Sequence, residues 1–538
     1  MMTKKAGRRS LVTLTTAALA LSLLAGCGGN SNGGNSANGA NSSGEGGNAG
    51  TPAATESAST AAPAETGIDT SKKVELQFYM LGDAPKDLPV IQDEINKMAQ
   101  EELNATVKFN YTSWTDWDQK YKLLLSSGQA IDLIFTADWT QYQSYAKRGA
   151  FLAIDDLLPK AAPELQKFVP ESMWEDVKVD GKIYTVPATY KEYVTNGFVY
   201  REDLRKKYDL PVPKDLASYE AYMDGIAANE PDLMPMSLNS DIGNNLHYIY
   251  TELNKMVGAL PYGMGVKYES PTTVYSYWGS DEQKEELKTM KRWADKGFIP
   301  KNVLNIKDTM QDPITSGKAA SMFGDNPTRY NDMKMKISTT HPEWELAYSP
   351  FGLTTGYATP VHPIHNGFAI PKSSKNPERA LAFYEKLVLD KRYNLLTQYG
   401  IEGKNYTVEN GYYKLVGTST SNGFSREGMN GWAWRNPEYM LFDQGFDGVK
   451  AIFDELDKIQ KPDLFLGFAE DYSSYQAEKA ALEQVEKQYL FPLQAGLVED
   501  IDKGLDTFLQ KAKQAGLEKI QAEWTKQWNA YVAEKGIK

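Results

Sequence analysis

A regular alternation of strand-like and helix-like segments begins at residue 74 and constrains the fold more than any other feature. In "KKVELQFYMLG" the apolar residues Val74, Leu76 and Phe78 occupy every second position, which is typical of a β strand. The following "LPVIQDEINKMAQEEL" has apolar residues at helical spacing, and "ATVKFNYT" alternates again. A strand, a helix and a second strand in this order predict a parallel β-α-β unit within an α/β fold.

The same alternation continues along most of the chain. A helix is predicted in "TDWDQKYKLLLSSG", a strand in "IDLIFT" and another helix near "TQYQSYAKRG". After the Asp180-Gly181 turn, β-like segments alternate with helices near residues 214–229 and 281–296. From about residue 475 the pattern is almost wholly helical, with Pro492 and Gly516 as breaks, so we expect a helical C-terminal extension.

Size, charge and cysteine content exclude several classes of protein. The part of the chain with this patterning, roughly 465 residues, is too long for one hydrophobic core and predicts two or three domains. The chain has 70 acidic and 58 basic residues, a net charge of −12, which disfavours a nucleic-acid partner. With one cysteine in 538 residues we expect no internal disulfide and no cysteine cluster for zinc.

That cysteine, Cys27, follows an export signal. Four basic residues within positions 4–9 precede "LVTLTTAALALSLL", which has the length of a signal-peptide core and is shorter than the roughly 20 residues of a membrane-spanning helix. The adjoining "LAGC" resembles the lipobox of bacterial lipoproteins. The resemblance implies a lipoprotein signal peptide at residues 1–26, cleavage before Cys27, and a diacylglyceryl thioether on that residue. We therefore expect a protein held by lipid on the extracellular face of the membrane.

Residues 27–71 read as a tether. Between Gly28 and Ile68 the segment has no aliphatic side chain larger than alanine and is rich in Gly, Ser and Asn, so it cannot bury enough apolar surface to offset its conformational entropy. A flexible coil of this length has a root-mean-square reach on the order of 35 Å. We expect a disordered leash between the anchor and the folded body.

Five segments in order resemble bacterial ABC-importer solute-binding proteins of the sugar-binding type. These are "SSGQAIDLIF", "YAKRGAFLAIDDLLPK", "DGKIYTVPATYKEYVTNGFVYREDLRKKYDL", "GKAASMFGDN" and "NGFAIPKSSKNPERALAFYEKL". They lie between Ser126 and Leu387, and the resemblance covers roughly residues 74–405. The chain after about residue 410 is similar to a Gram-positive subgroup of that family, whose C-terminal domain has no assigned function.

The resemblance implies a two-lobe fold of the periplasmic-binding-protein type (type II), with crossover hinge segments. It places residues 72–188 and about 319–365 in the N-terminal lobe. It places residues 189–318 and about 366–538 in the C-terminal lobe, including the helical C-terminal domain. In such proteins the lobes close over a solute, because contacts made only in the closed form shift the population towards closure.

Aromatic and acidic side chains accumulate where two predicted strands end. In open α/β sheets ligands lie beyond the carboxyl ends of the strands. Trp114, Trp117 and Asp118 follow the second strand, and Asp138 and Trp139 follow the third. A sugar offers an apolar face for stacking and a rim of hydroxyls for hydrogen bonds, which suits this mixture. The alternative is that the tryptophans cap a core.

Further candidates come from the crossover segments and from a late loop. The resemblance implies ligand contacts at Tyr190 and Tyr193, at Asn326 where the chain would return to the first lobe, and at Asn366 where it would cross again; hinge packing is the alternative role. The loop "NGWAWRNPEYM" contains Trp432, Trp434 and Arg435 without a helical period, and either ligand contact or interlobe packing would explain it.

Catalytic and metal sites are disfavoured. Asp116 and Asp118 lie two residues apart, whereas glycosidase carboxylates face each other across the scissile bond from separate elements. His362 and His365 flank Pro363, which favours a turn over a zinc site, and no calcium-loop pattern occurs. We expect no cofactor and no metal.

The leading hypothesis is therefore a non-catalytic, monomeric lipoprotein that captures a carbohydrate, an oligosaccharide in particular, and delivers it to an ABC-transporter permease. The alternative functions are a surface-anchored enzyme acting on polysaccharide and an adhesion or sensory scaffold. The patterning leaves a peptide or another polar solute open as the ligand.

Overall fold

The computed structural model describes residues 67–114, 116–193, 195–240, 249–257, 260–418 and 420–538. Cys27, the expected signal peptide and all but the last five residues of the expected tether lie outside these ranges. Strands of the described chain are β1 (Val74–Leu81), β2 (Ala105–Thr112), β3 (Leu133–Thr136), β4 (Lys178–Val179), β5 (Lys182–Ile183), β6 (Gly197–Arg201), β7 (Met256–Val257), β8 (Met264–Lys267), β9 (Ser270–Ser276), β10 (Ser321–Phe323), β11 (Leu346–Pro350), β12 (Gly367–Ala369), β13 (Tyr406–Glu409) and β14 (Tyr412–Leu415).

Helices fill most of the intervals between these strands. The first group is α1 (Leu88–Leu103), α2 (Trp117–Ser126), α3 (Tyr142–Lys147), α4 (Leu158–Ala161), α5 (Pro163–Phe168), α6 (Glu171–Asp176), α7 (Glu202–Lys207), α8 (Leu216–Asn229) and α9 (Asp281–Asp295). The second group is α10 (Gln311–Thr315), α11 (Pro327–Thr340), α12 (Phe351–Thr355), α13 (Pro377–Leu389), α14 (Lys391–Tyr399), α15 (Phe446–Asp457), α16 (Gln476–Val485), α17 (Phe491–Gln494), α18 (Ile501–Gln514) and α19 (Leu517–Lys535).

The first sheet has the strand order β12-β3-β1-β2. β1 pairs in parallel with β2 along its whole length, from Val74 opposite Ala105 to Leu81 opposite Thr112, and also in parallel with β3. Helix α1 connects β1 to β2, and its buried residues Ile91, Ile95, Ala99 and Leu103 recur every fourth position, which places one apolar face against the sheet. The predicted β-α-β unit is confirmed.

The second sheet has the order β10-β6-β11, and both outer strands run antiparallel to β6. Its core includes Phe198 stacked on Tyr219 with ring centroids 4.3 Å apart, next to the fully buried Trp293 of α9. The two sheets have separate hydrophobic cores, as expected for a two-lobe α/β protein.

Strand pairing assigns two segments differently from the lobe boundaries expected above. β10 and β11, within residues 319–365, pair with β6 in the second sheet, whereas β12 pairs with β3 in the first. Helix α13 also packs in the first core, through residues such as Phe383 and Leu387. Apolar alternation marks a strand but does not reveal its partner, and β12 satisfies the backbone donors and acceptors that β3 would otherwise leave unpaired.

The C-terminal helices build cores of their own beside the second sheet. Helices α16 to α19 enclose one apolar cluster, in which Leu287 of α9 takes part. Trp524 and Trp528 of α19 stack with centroids 5.9 Å apart and pack against Met264 and Val266 of β8. The predicted helical extension is confirmed, and none of the described helices is both long and apolar enough to cross a membrane.

Candidate functional site

A cleft of about 510 Å³ lies where the chain passes between the two sheets. One wall is residues 188–192, the first crossing segment, which leads from β5 to β6. Another is residues 360–366, the second crossing segment, which leads back from β11 to β12. The end of α6, the loop at 432–435 and the segment 460–466 complete the lining. A cleft formed by connecting segments between two sheets is a typical place for a small-molecule site.

A buried arginine joins two of these walls. Arg435 forms an ion pair with Glu192 of the first crossing segment, and its Nε lies 2.6 Å from Oε1 of Glu427. Burial acts to raise the pKa of Glu427, but Arg435 and Arg426 outweigh this effect and hold that pKa below its ordinary value. The ring of Tyr190 lies 5.4 Å from the guanidinium carbon of Arg435, and burial raises the pKa of this phenol to about 12. The arginine therefore fixes the crossing segment against the loop at 432–435 by charge-assisted hydrogen bonds.

Three tryptophans form an aromatic cluster at the edge of the cleft. Trp114 lies 6.4 Å from Trp139 and 6.0 Å from Trp432, measured between ring centroids. Trp114 and Trp139 remain 44% and 39% exposed, and Trp432 lines the cleft itself. The first two follow β2 and β3, whose parallel strands end at the same edge of the sheet. Partly exposed, clustered indole rings provide the stacking surface that a sugar ring requires.

Close packing behind this cluster depends on Gly82, which directly follows β1. Its φ of +106° is a conformation that favours glycine, and a β-carbon there would collide with the amide of Asn430. That amide donates a 2.8 Å hydrogen bond to the carbonyl of Leu81. The loop that carries Trp432 is thereby held against the end of the first strand.

Two histidines of the second crossing segment contribute polar groups to the candidate site. Nδ1 of His365 lies 3.3 Å from Oδ1 of Asp138, and the backbone carbonyl of His365 accepts a 2.8 Å hydrogen bond from Nε1 of Trp139. Burial acts to lower the pKa of His365, but Asp138 outweighs it and the net direction is upward. Burial lowers the pKa of His362 to about 4. Its Nδ1 accepts a hydrogen bond from the backbone N–H of Ile364, which places the proton of the neutral ring on Nε2, an atom with no hydrogen-bond partner among the described residues.

The structure brings together a majority of the residues predicted from the sequence. The aromatic cluster and the cleft lining contain the predicted residues Trp114, Trp139, Tyr190, Asn366, Trp432 and Arg435. Asp138 contacts His365 of that lining. Trp117 packs edge-on against Trp139 at 6.1 Å and against Tyr121 at 5.8 Å, so it supports the cluster from behind.

Four predicted residues have other roles. Asp118 is half-buried in the first turn of α2 and forms an ion pair with Lys122 at 2.6 Å. Asn326 accepts the N–H of Arg329 and caps α11. Tyr193 is buried and donates to Asp457 at 2.6 Å, which is the hinge packing that was the alternative.

Trp434 is the fourth, and it is fully buried in the first core. Its ring lies 5.4 Å from that of Phe368, and its Nε1 donates to Oγ1 of Thr397 at 2.9 Å. The alternation of Trp432 and Trp434 along a short 3₁₀ turn, Trp432–Trp434, points one indole to the cleft and the other to the core.

Some lining residues could not be selected from the sequence. Glu192 lies two positions after Tyr190, but nothing in the sequence indicates that it meets Arg435 from 243 positions away. His362 and His365 are recognisable only as a turn. Asp463 lies in a segment without strand or helix periodicity, and only the fold brings it to the cleft.

The chain matches two known protein families. Residues 86–391 match the bacterial extracellular solute-binding protein family, and residues 464–533 match a domain of unknown function, DUF3502. The chain belongs to the bacterial extracellular solute-binding proteins. The family resemblance inferred from the sequence is confirmed.

Curated relatives cover most of the chain. A carbohydrate ABC transporter substrate-binding protein of Streptococcus pneumoniae is 24% identical over 481 residues, which is 87% of this chain and 93% of the relative. Lipoprotein LipO of Bacillus subtilis is 22% identical over 398 residues, 68% of this chain and 75% of the relative.

Solved structures agree in fold. The N-glycan transport solute-binding protein NgtS of Streptococcus pneumoniae, in complex with Man1GlcNAc, has a TM-score of 0.66 at 20% identity, covering 86% of this chain and all of the other. Its complex with Man5GlcNAc gives 0.63 at 22% identity, covering 87% of this chain and all of the other. The alginate-binding protein AlgQ2 has a TM-score of 0.61 at 16% identity, and the match covers 86% of this chain and 99% of the other. The two-lobe solute-binding fold is confirmed.

Proposed function

We propose that this protein captures a carbohydrate, an oligosaccharide in particular, in the cleft between its two sheets and delivers it unaltered to an ABC-transporter permease. The observation that carries the proposal is the joining of a partly exposed tryptophan cluster to a polar cleft at the crossing segments, with Trp432 common to both. Indole faces stack on sugar rings, while carboxylate, histidine and arginine groups bind the hydroxyl rim. The names of the similar proteins, which include a carbohydrate ABC transporter protein and NgtS, support the same class of solute.

The proposal includes the anchor and the assembly state. The lipobox-like "LAGC" supports lipidation of Cys27 on the extracellular face of the membrane, and the similarity to lipoprotein LipO agrees with it. The protein works as a monomer that meets the permease after closure. No cofactor enters this function.

A binding screen tests the proposal. The protein without its first 26 residues is titrated calorimetrically with Man1GlcNAc, Man5GlcNAc and alginate oligosaccharides, with a tripeptide as a non-sugar comparison. A solute at a hundredfold excess over Kd stabilises the folded state by about 2.7 kcal/mol, so thermal unfolding provides an independent readout. Binding of a sugar without change in its chromatographic profile is the expected result. Sugar hydrolysis would favour the enzyme hypothesis, and binding of the tripeptide alone would assign a different solute class.

A further inference from the structure

The segment 460–466 forms part of the cleft and leads directly into the C-terminal domain of unknown function. We call residues 460–466 the entry segment. Gln460, Asp463 and Leu466 line the cleft, and the match to the domain begins at residue 464. A domain without an assigned role thus begins in a wall of the site.

The start of the entry segment is hydrogen-bonded to residues within or next to both crossing segments. Oε1 of Gln460 accepts hydrogen bonds from Nζ of Lys191 at 2.7 Å and from the hydroxyl of Tyr193 at 3.1 Å. The backbone N–H of Lys461 donates to the carbonyl of Ala358 at 2.8 Å. These bonds fix the start of the segment to the connections between the two sheets.

On its other side the segment is held by the C-terminal domain. The ring of Phe465 packs on Trp528 of α19 at a centroid distance of 4.5 Å. The hydroxyl of Tyr531 donates to the carbonyl of Leu466. The domain therefore determines where Asp463 and Leu466 lie in the cleft.

Asp463 has one carboxylate oxygen available to a solute. Oδ1 accepts the backbone N–H of Phe465 at 2.8 Å, and this is the one hydrogen bond that the described residues make to the carboxylate. The groups that shift its pKa include no cation. Burial raises the pKa of Asp463 to about 6, and the charge of Asp138 acts in the same direction. A partly desolvated carboxylate without a cation is stabilised by any donor brought to it.

We propose that the C-terminal domain supplies one wall of the solute cleft, and that Asp463 accepts hydrogen bonds from hydroxyl groups of the bound carbohydrate. Gln460 and Leu466 flank it with an amide and an apolar surface, a combination that suits the polar rim and the apolar face of a sugar ring. The domain then determines which sugars the protein takes. This inference rests on the proposed function.

The chain offers a matched pair of variants to test it. Asp471 repeats the local motif of Asp463, because its Oδ1 accepts the N–H of Ser473 two residues on, but it is exposed and lies outside the cleft lining. Asp463→Asn and Asp471→Asn each keep the oxygen that accepts this bond and remove the charge. Both are titrated with whichever of Man1GlcNAc, Man5GlcNAc and alginate oligosaccharide the wild-type protein binds, and thermal unfolding is recorded for each.

Asp463→Asn should weaken binding by about tenfold or more, the scale of one charge-assisted hydrogen bond, while Asp471→Asn changes it by less than about twofold. Affinities for Asp463→Asn within about twofold of wild type would overturn the inference and leave the proposed function standing. If Asp463→Asn does not fold, Leu466→Ala tests the same wall, and unchanged affinity there would also overturn it. If the wild-type protein binds none of the three sugars, the proposed function fails and the inference fails with it.

Discussion

Glu286 in helix α9 provides a test of how burial controls the stability of the second lobe. The residue has no exposed surface, and neither carboxylate oxygen has a hydrogen-bond partner among the described residues. Burial raises the pKa of Glu286 from its ordinary value of 4.5 to about 8. The folded protein therefore keeps a neutral carboxylic acid at this position at neutral pH.

The sign of the effect on stability follows from proton binding. Between pH 4.5 and 8 the folded state holds a proton that the unfolded chain releases, so the contribution of Glu286 is complete below pH 4.5 and is lost as the pH rises through 8. At 1.36 kcal/mol for each pKa unit, the full separation corresponds to about 5 kcal/mol. Roughly 4 kcal/mol of this falls between pH 5 and 8.5.

Urea unfolding at pH 5 and pH 8.5 measures this contribution in the wild-type protein and in Glu286→Gln, which cannot ionise. The difference in the free energy of unfolding, variant minus wild type, should be about 4 kcal/mol larger at pH 8.5 than at pH 5. Glu285→Gln is the control, because Glu285 is exposed and pairs with Lys288 at 2.9 Å. A relative change below about 1 kcal/mol would refute the view that this carboxyl is buried in the neutral form.

Three further predictions concern the site and the anchor. Trp139→Ala should weaken sugar binding by roughly 1 to 3 kcal/mol in calorimetry with an unchanged circular dichroism spectrum, since it removes a partly exposed indole of the aromatic cluster; unchanged affinity would remove Trp139 from the site. Arg435→Met should lower the free energy of unfolding by about 3 to 5 kcal/mol, because Glu192 and Glu427 would lose their buried cation, and a loss below about 1 kcal/mol would contradict that role. Cys27→Ala should release the protein from cells into the medium on immunoblots, and continued membrane association would argue against the lipid anchor.

The local elements and the family could be predicted from the sequence because they depend on short-range information. Periodicity identified β1, α1 and β2, and the last helices, since an apolar face recurs every second or every fourth residue. Strand ends likewise indicated Trp114 and Trp139, because parallel strands terminate at a common edge.

Which strands pair, and which side chain of a loop faces solvent, was decided only by the tertiary structure. β12 belongs to the first sheet because it completes the edge of β3, and no feature of its three residues indicates this partner. Trp432 and Trp434 are two positions apart in the same loop, yet one lines the cleft and the other fills the core. The sequence by itself determined the strand and helix segments, and it predicted the aromatic and polar character of the candidate site. The tertiary structure alone decided the ion pair between Arg435 and Glu192 and the position of Asp463 in the cleft lining. Both depend on contacts between segments that are distant in the chain, which local patterning does not encode.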